Sequence, residues 1–182
     1  MGVNQIEFQP LKIEGAYLIK NFEYEDQRGG FVKCFSEESY RAENINFQVK
    51  EVYYSISHAN VIRGMHFQKP PHNHAKLICV AKGSIIDVVL DIRKESRTFG
   101  EFMAVELMEN VNSIYIPSGC AHGFESLQDH TIVIYNQSSC YSPDSDDGIL
   151  WNSFGYGWKT VDPVLSLRDK SFQRFSEFRS PF

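Results

Sequence analysis

KLICVAKGSIIDVVLDIR, from Lys76 to Arg93, decides the fold. It contains two runs of aliphatic and β-branched residues, split by Ala81-Lys82-Gly83-Ser84. β-Branched side chains fit a pleated surface, and a Gly between two such runs marks a turn. The second run, SIIDVVLDIR, is apolar at nearly every position except Asp87 and Asp91. A strand wet on one side alternates apolar with polar residues, whereas a strand covered on both faces reads as a continuous apolar run. A strand buried on both sides needs layers above and below it.

The flanking sequence supplies more strands. KEVYYSIS, EFMAVELM, NSIYIP and HTIVIYNQ are rich in β-branched and aromatic residues. Turn signals separate them: the stretch through Thr98-Phe99-Gly100, Glu109-Asn110-Val111-Asn112, and Pro117-Ser118-Gly119. Short strands joined this way predict a mainly β sandwich or barrel. Helix signals are few. SEESYRAEN offers Ser36 as an N-cap with Glu37 and Glu38 in the first turn. A second short helix is expected near Lys170–Phe178. The tail carries Phe175, Phe178 and Phe182, which a solvated tail would not need, so they are expected to pack on the body or on a partner subunit.

The chain has 182 residues without a linker, a composition break or a fixed repeat, which suits a single domain spanning 1–182. Hydrophobic residues make up 42% and aromatics 14%, enough for a core and for stacking on flat ligands. A net charge of -5 disfavours nucleic acid as a partner, although a few local cations suffice for a small anion. Cys34, Cys79, Cys120 and Cys140 are scattered beside apolar or small residues, so buried free thiols are expected. The N-terminus lacks a signal-peptide pattern, and Gly2 is followed by Ile6 where an acylation motif needs Ser or Thr. No apolar run reaches membrane-spanning length. These features predict a cytoplasmic protein without membrane association.

Candidate chemistry concentrates in VIRGMHFQKPPHNHAKL, which holds Arg63, His66, His72, His74 and Lys76, and in IPSGCAHGFESL, which holds His122. His58 and His130 stand alone and read as structural. His66 differs because Arg63 and Lys76 flank it. Neighbouring cations disfavour the charged imidazole and can receive a phosphate or an enolate oxygen.

DQRGGF (Asp26–Phe31), RGMHFQKPP (Arg63–Pro71), KLICVAKGSIIDVVLDIR, IPSGCAHGF (Ile116–Phe124) and LSLRD (Leu165–Asp169) occur in this order. Together they resemble the dTDP-4-dehydrorhamnose 3,5-epimerase family over nearly the whole chain, from about Phe8 to Phe182. The resemblance implies a cupin-like jelly-roll β-barrel with a few short helices, homodimeric, with the site inside the barrel and neither metal nor redox cofactor. It implies a nucleotide-diphosphate sugar as ligand, a 4-keto-6-deoxyhexose or heptose, in deoxysugar biosynthesis for surface polysaccharide. It places His66 as general base, Asp169 as the carboxylate that orients it, Lys76 and Arg63 on the enolate oxygen, and Tyr135 as the acid across the ring. Arg28 falls on a phosphate contact and His122 on a pocket support. Phe31, Lys33, Glu51, Tyr53, Gln68, His74 and Tyr141 complete the expected substrate contacts. From the residues alone, Asp169 also reads as a helix cap, Tyr135 as core and Arg28 as an exposed turn residue.

The chain departs from the thymidine enzymes it resembles. Lys33 stands where they carry a Glu, Glu51 and Tyr53 where they carry a Gln and an Asn, and His74 where a Gln is usual. NSFGYGW and the terminal SPF also set it apart. Altered donors and acceptors near the nucleotide change base reading, because an unmatched buried polar group is costly. Thymidine, cytidine and guanosine therefore all stay open. Three other classes compete. His72-x-His74 and PSGCAH resemble the motifs of metal-dependent cupin oxygenases, but the expected Glu is missing and Lys76 would repel a divalent ion. A sugar 3,4-ketoisomerase would use the same enolate. A non-catalytic sugar-binding module would not need His66, Asp169, Lys76 and Tyr135 together.

Overall fold

The Lys76–Arg93 stretch forms two strands, β7 (Lys76–Lys82) and β8 (Ser84–Asp91) in chain order, and the chain crosses from one sheet to the other between them. Gly83 makes the turn at φ 81°, where a Cβ would fall 2.5 Å from Thr131 Oγ1. The computed structural model describes residues 6–182. Gly2, considered above for acylation, lies outside them.

Before these two strands come β1 (Glu7–Pro10), β2 (Tyr17–Lys20), β3 (Phe22–Asp26), β4 (Gly29–Lys33), α1 (Glu37–Ala42), β5 (Glu51–Ser57) and β6 (Ile62–Gln68). After it come β9 (Phe102–Met108), β10 (Asn112–Ile116), β11 (Cys120–Ser126), β12 (Thr131–Gln137), β13 (Asp146–Gly148) and α2 (Leu167–Ser171). Six strands form one sheet in the order β1-β2-β10-β7-β12-β5, and five form a second in the order β13-β6-β11-β8-β9. Their pairings are antiparallel, and β3 and β4 form a separate hairpin. The sheets face each other as a cupin-like jelly roll, the mainly β architecture the sequence predicts.

The continuous apolar run of β8 has the expected cause. Ile85 and Val89 pack between the sheets with Ile78 and Val80 of β7 and Val133 of β12. Ile86, Val88 and Leu90 point the other way, into a second cluster under Phe175, Phe178 and Phe182. The aromatic tail therefore packs on the body of its own chain. A third cluster covers the outer face of the six-stranded sheet, where Tyr40, Ile45 and Phe47 sit on Leu77 and Cys79. Side chains alternate along a strand, so Asp87, between Ile85 and Val89, shares their inward face. The outer face of β5 stays uncovered: Val52, Tyr54 and Ile56 are exposed.

One local expectation holds and two need correction. Ser36 occupies the N-cap of α1 with Glu37 and Glu38 in the first turn, as expected, although its side chain makes no cap bond. The C-terminal helix starts earlier than expected, at Leu167, and ends at Ser171, because Phe172 is extended; only a short 3-10 turn follows at Phe175–Glu177. All four cysteines are free, but only Cys79 and Cys120 are buried. Cys140 is exposed because it follows β12 in a loop, and Cys34 is half-buried between the β4 hairpin and α1.

Candidate active site

Between the sheets, toward the β5 and β13 edges, lies a cavity of about 370 Å³, large enough for a small ligand. Strand parity builds it. Glu51 and Tyr53 of β5, His66 and Gln68 of β6, Lys76 of β7, His122 and Phe124 of β11, and Tyr135 and Gln137 of β12 each occupy every second position and line it. Arg63, His74 and Tyr141 join them from strand ends and loops.

His66 is held by a residue from far along the chain. Its Nε2 lies 2.8 Å from Asp169 Oδ1. The second carboxylate oxygen, Oδ2, accepts the Gly64 N–H at 3.2 Å. Gly64 permits this approach at φ 148°, where a Cβ would clash with Gly123 Cα at 2.5 Å. Burial pushes the Asp169 carboxyl up, but the hydrogen bond and charge of His66, the Gly64 N–H and Ser166 together outweigh burial and hold it below its ordinary value. An ionised Asp169 keeps the proton on Nε2 and leaves Nδ1 with a free lone pair. The helix-cap role belongs to Ser166, whose Oγ accepts the Asp169 N–H at 3.0 Å. Asp169 is thus free to serve His66.

Lys76 is buried and donates from Nζ to the His66 carbonyl at 3.0 Å. Burial lowers its pKa to about 8, with the charges of Asp87 and Asp146 pulling the other way. Tyr135 is also buried; burial is the main force raising its pKa, so the phenol stays protonated. His122 Nε2 lies 2.7 Å from Asp87 Oδ2, the carboxylate oxygen accepting, and both side chains are sealed from water. Burial first, then Lys76 and His66, push His122 toward the neutral form against Asp87.

The binding residues divide. Arg63 is anchored by Ser57 Oγ at 3.1 Å and by the Ile56 carbonyl at 3.2 Å, with its guanidinium on the cavity. Gln68 spends its amide on the protein: Nε2 donates to the His72 carbonyl at 2.7 Å, and Oε1 accepts the Ser142 N–H at 2.7 Å. His74 is buried beside it, and burial lowers its pKa to about 3. His72 contributes its carbonyl to this network, and among the described residues no three His, Cys, Asp or Glu side chains converge as a metal site. Glu51 accepts the Tyr141 N–H at 2.6 Å. Arg28, Phe31 and Lys33 lie outside the cavity of their own chain. They sit on the β3–β4 hairpin, with Arg28 paired to Asp26 at 2.6 Å and Lys33 over the Phe22 ring at 5.6 Å.

Sequence reasoning passed over Asp87, Asp146 and Arg168. Asp87 had a signal, since a lone carboxylate in an all-apolar strand needs a buried partner. Arg168 adjoins Asp169, lines the cavity and pairs with Asp146 at 2.6 Å. Asp146 gave no signal, because β13 is only three residues long and its pairing with β6 is a tertiary event.

An imidazole paired with a carboxylate, a buried ammonium and a buried phenol around one cavity are the groups that can remove a proton, hold an enolate and return a proton. Fold and site together define a proton-transfer enzyme of the cupin-like class. The family model of dTDP-4-dehydrorhamnose 3,5-epimerase matches residues 10–177. The enzyme of that name from Methanothermobacter thermautotrophicus is 34% identical over 179 residues, covering 95% of this chain and 96% of its own. The crystal structure of the Bacillus anthracis enzyme, with TDP and PPi bound, superposes with a TM-score of 0.90 at 33% identity, covering 93% and 99% of the two chains. A 3′-monoepimerase from Streptomyces bikiniensis, solved with dTDP-quinovose, superposes at 0.86 with 31% identity over 92% and 87%. The chain belongs to the dTDP-4-dehydrorhamnose 3,5-epimerase family, and it is an isomerase of the racemase and epimerase type.

Proposed function

We propose that the chain inverts C3, C5 or both in a nucleotide-linked 4-keto-6-deoxyhexose or heptose. The observation that carries this reading is the His66–Asp169 pair opening on the same cavity as Lys76 and Tyr135. The C4 ketone acidifies the hydrogens on C3 and C5. His66 takes one through Nδ1, and Asp169 stabilises the imidazolium that results. Electron density moves onto the C4 oxygen, where Lys76 and Arg63 supply positive charge. Tyr135 then protonates the same carbon from the opposite face, and solvent restores both groups. The diphosphate is held by cations at the mouth, Arg63 and Arg168 among them.

The same reading makes the protein a cytoplasmic homodimer. Four unpaired cysteines suit a reducing compartment. Among the described residues no helix is long and apolar enough to cross a membrane. Arg28, Phe31 and Lys33 can touch a ligand only if their hairpin enters the cavity of a second copy. Exposed Tyr24 and Phe31 on the hairpin, and Val52, Tyr54 and Ile56 on β5, supply apolar surface for such an arrangement.

The test is proton NMR in D₂O with TDP-, CDP- and GDP-linked 4-keto sugars. Deuterium at C3 or C5, lost in His66→Asn, supports the reading and identifies the nucleotide and the carbon. No exchange with any sugar overturns it. EDTA is expected to leave turnover unchanged.

A further inference from the structure

Tyr53 and Tyr135 are direct cross-strand partners on β5 and β12, both on the inward face. Their rings stack with centroids 4.7 Å apart and planes 15° from parallel. Gln137 Nε2 donates to the Tyr53 hydroxyl at 2.7 Å, while the ring itself is set by the β5–β12 register and the stack. The other neighbours of Tyr135 are fixed. His122 meets its ring at 72° and is pinned by Asp87, and Phe124 is fully buried. Ser55 Oγ lies 3.5 Å from the Tyr135 hydroxyl, at the limit of a hydrogen bond. Tyr53 is therefore a wall of the Tyr135 slot that lies away from the core. It sits on an edge strand and is 43% exposed.

A phenol delivers its proton along one O–H direction. The two carbons that flank the C4 ketone lie on either side of it, so the tilt of the ring decides which of them the hydroxyl reaches. We propose that Tyr53 is a positioning residue that fixes the plane of the Tyr135 ring and thereby sets the ratio of protonation at C3 to protonation at C5. The proposal rests on the epimerase reading above. Tyr53 acts through the face of its ring, so a phenyl group suffices and a non-aromatic side chain does not.

The experiment compares deuterium incorporation at C3 and C5 in the wild type, Tyr53→Phe, Tyr53→Leu and Tyr53→Asn, using the sugar that the wild type turns over. The ratio comes from one population of active molecules, so a partial loss of folded protein lowers both signals together and leaves it unchanged. Tyr53→Phe is expected to keep the wild-type ratio within about twofold. Tyr53→Leu and Tyr53→Asn are expected to change it by about tenfold or more, since about 1 Å of misplacement at a reacting group costs on the order of a hundredfold in rate. These two variants should lower kcat more than they raise KM. An unchanged ratio in both overturns the proposal and leaves the epimerase reading standing. A ratio shifted equally in Tyr53→Phe also overturns it, because the hydroxyl and not the ring face would then be responsible. No deuterium at either carbon with the wild type removes the epimerase reading, and this proposal with it.

Discussion

The barrel holds two imidazole–carboxylate pairs of nearly equal length, 2.8 Å for His66–Asp169 and 2.7 Å for His122–Asp87. Their histidines face each other in register across β6 and β11. They differ in access and in satisfaction. The His66 side chain is 30% exposed and that of His122 3%. Both Asp169 oxygens are hydrogen-bonded, while Asp87 Oδ1 is buried without a partner. The same two side-chain types therefore serve different ends. The open pair can exchange a proton with a ligand and with water. The sealed pair cannot do so readily, and it places a carboxylate charge near the Lys76 ammonium.

The sharpest break of this contrast is Asp87→Ala. It strips a buried carboxylate from both His122 and Lys76, and removing one partner of a buried charged pair costs about 3–5 kcal/mol. Urea denaturation is expected to show a loss of that order. His66→Asn should do the reverse, leaving the urea midpoint nearly unchanged while deuterium exchange falls at least about a hundredfold, as for a general base. Asp169→Asn sits between them. The amide keeps the shape but not the charge, and a supporting partner of this kind is worth about 10- to 100-fold, so kcat should fall by about that much. The mildest test is the pH profile. Lys76 is protonated below about pH 8, so kcat/KM should decline as pH rises through that value. The Asp87 charge raises the Lys76 pKa, so Asp87→Asn should move this decline to lower pH. A decline that stays in place would mean that the sealed pair does not support the ammonium.

The open pair was legible in the sequence and the sealed pair was not. His66, Lys76 and Tyr135 sit in motifs whose strand parity points them inward, and Asp169 ends a motif of its own. Asp87 was visible as an oddity in SIIDVVLDIR, but its pairing with His122 depends on the β8–β11 register, which no local pattern encodes. The fold was legible for a physical reason. A run that alternates nowhere demands cover on both faces, and the three apolar clusters supply it. Arg28, Phe31 and Lys33 mark the other limit. Their motif locates a hairpin, but where that hairpin projects is a property of the assembly. The positions of Cys34 and Cys140 were misread because neighbouring apolar residues do not fix the burial of a residue in a loop.

Asp169 joins His66 across 103 positions of sequence. During synthesis, β6 to β8 and most of the strands around them leave the ribosome well before α2 does. The strand that carries His66 is therefore made before either its carboxylate partner or the aromatic tail that covers β8. A chain clipped before residue 169 would lose Asp169 together with Phe175, Phe178 and Phe182, and so give up the partner of His66 and the cover of one apolar cluster in a single cut.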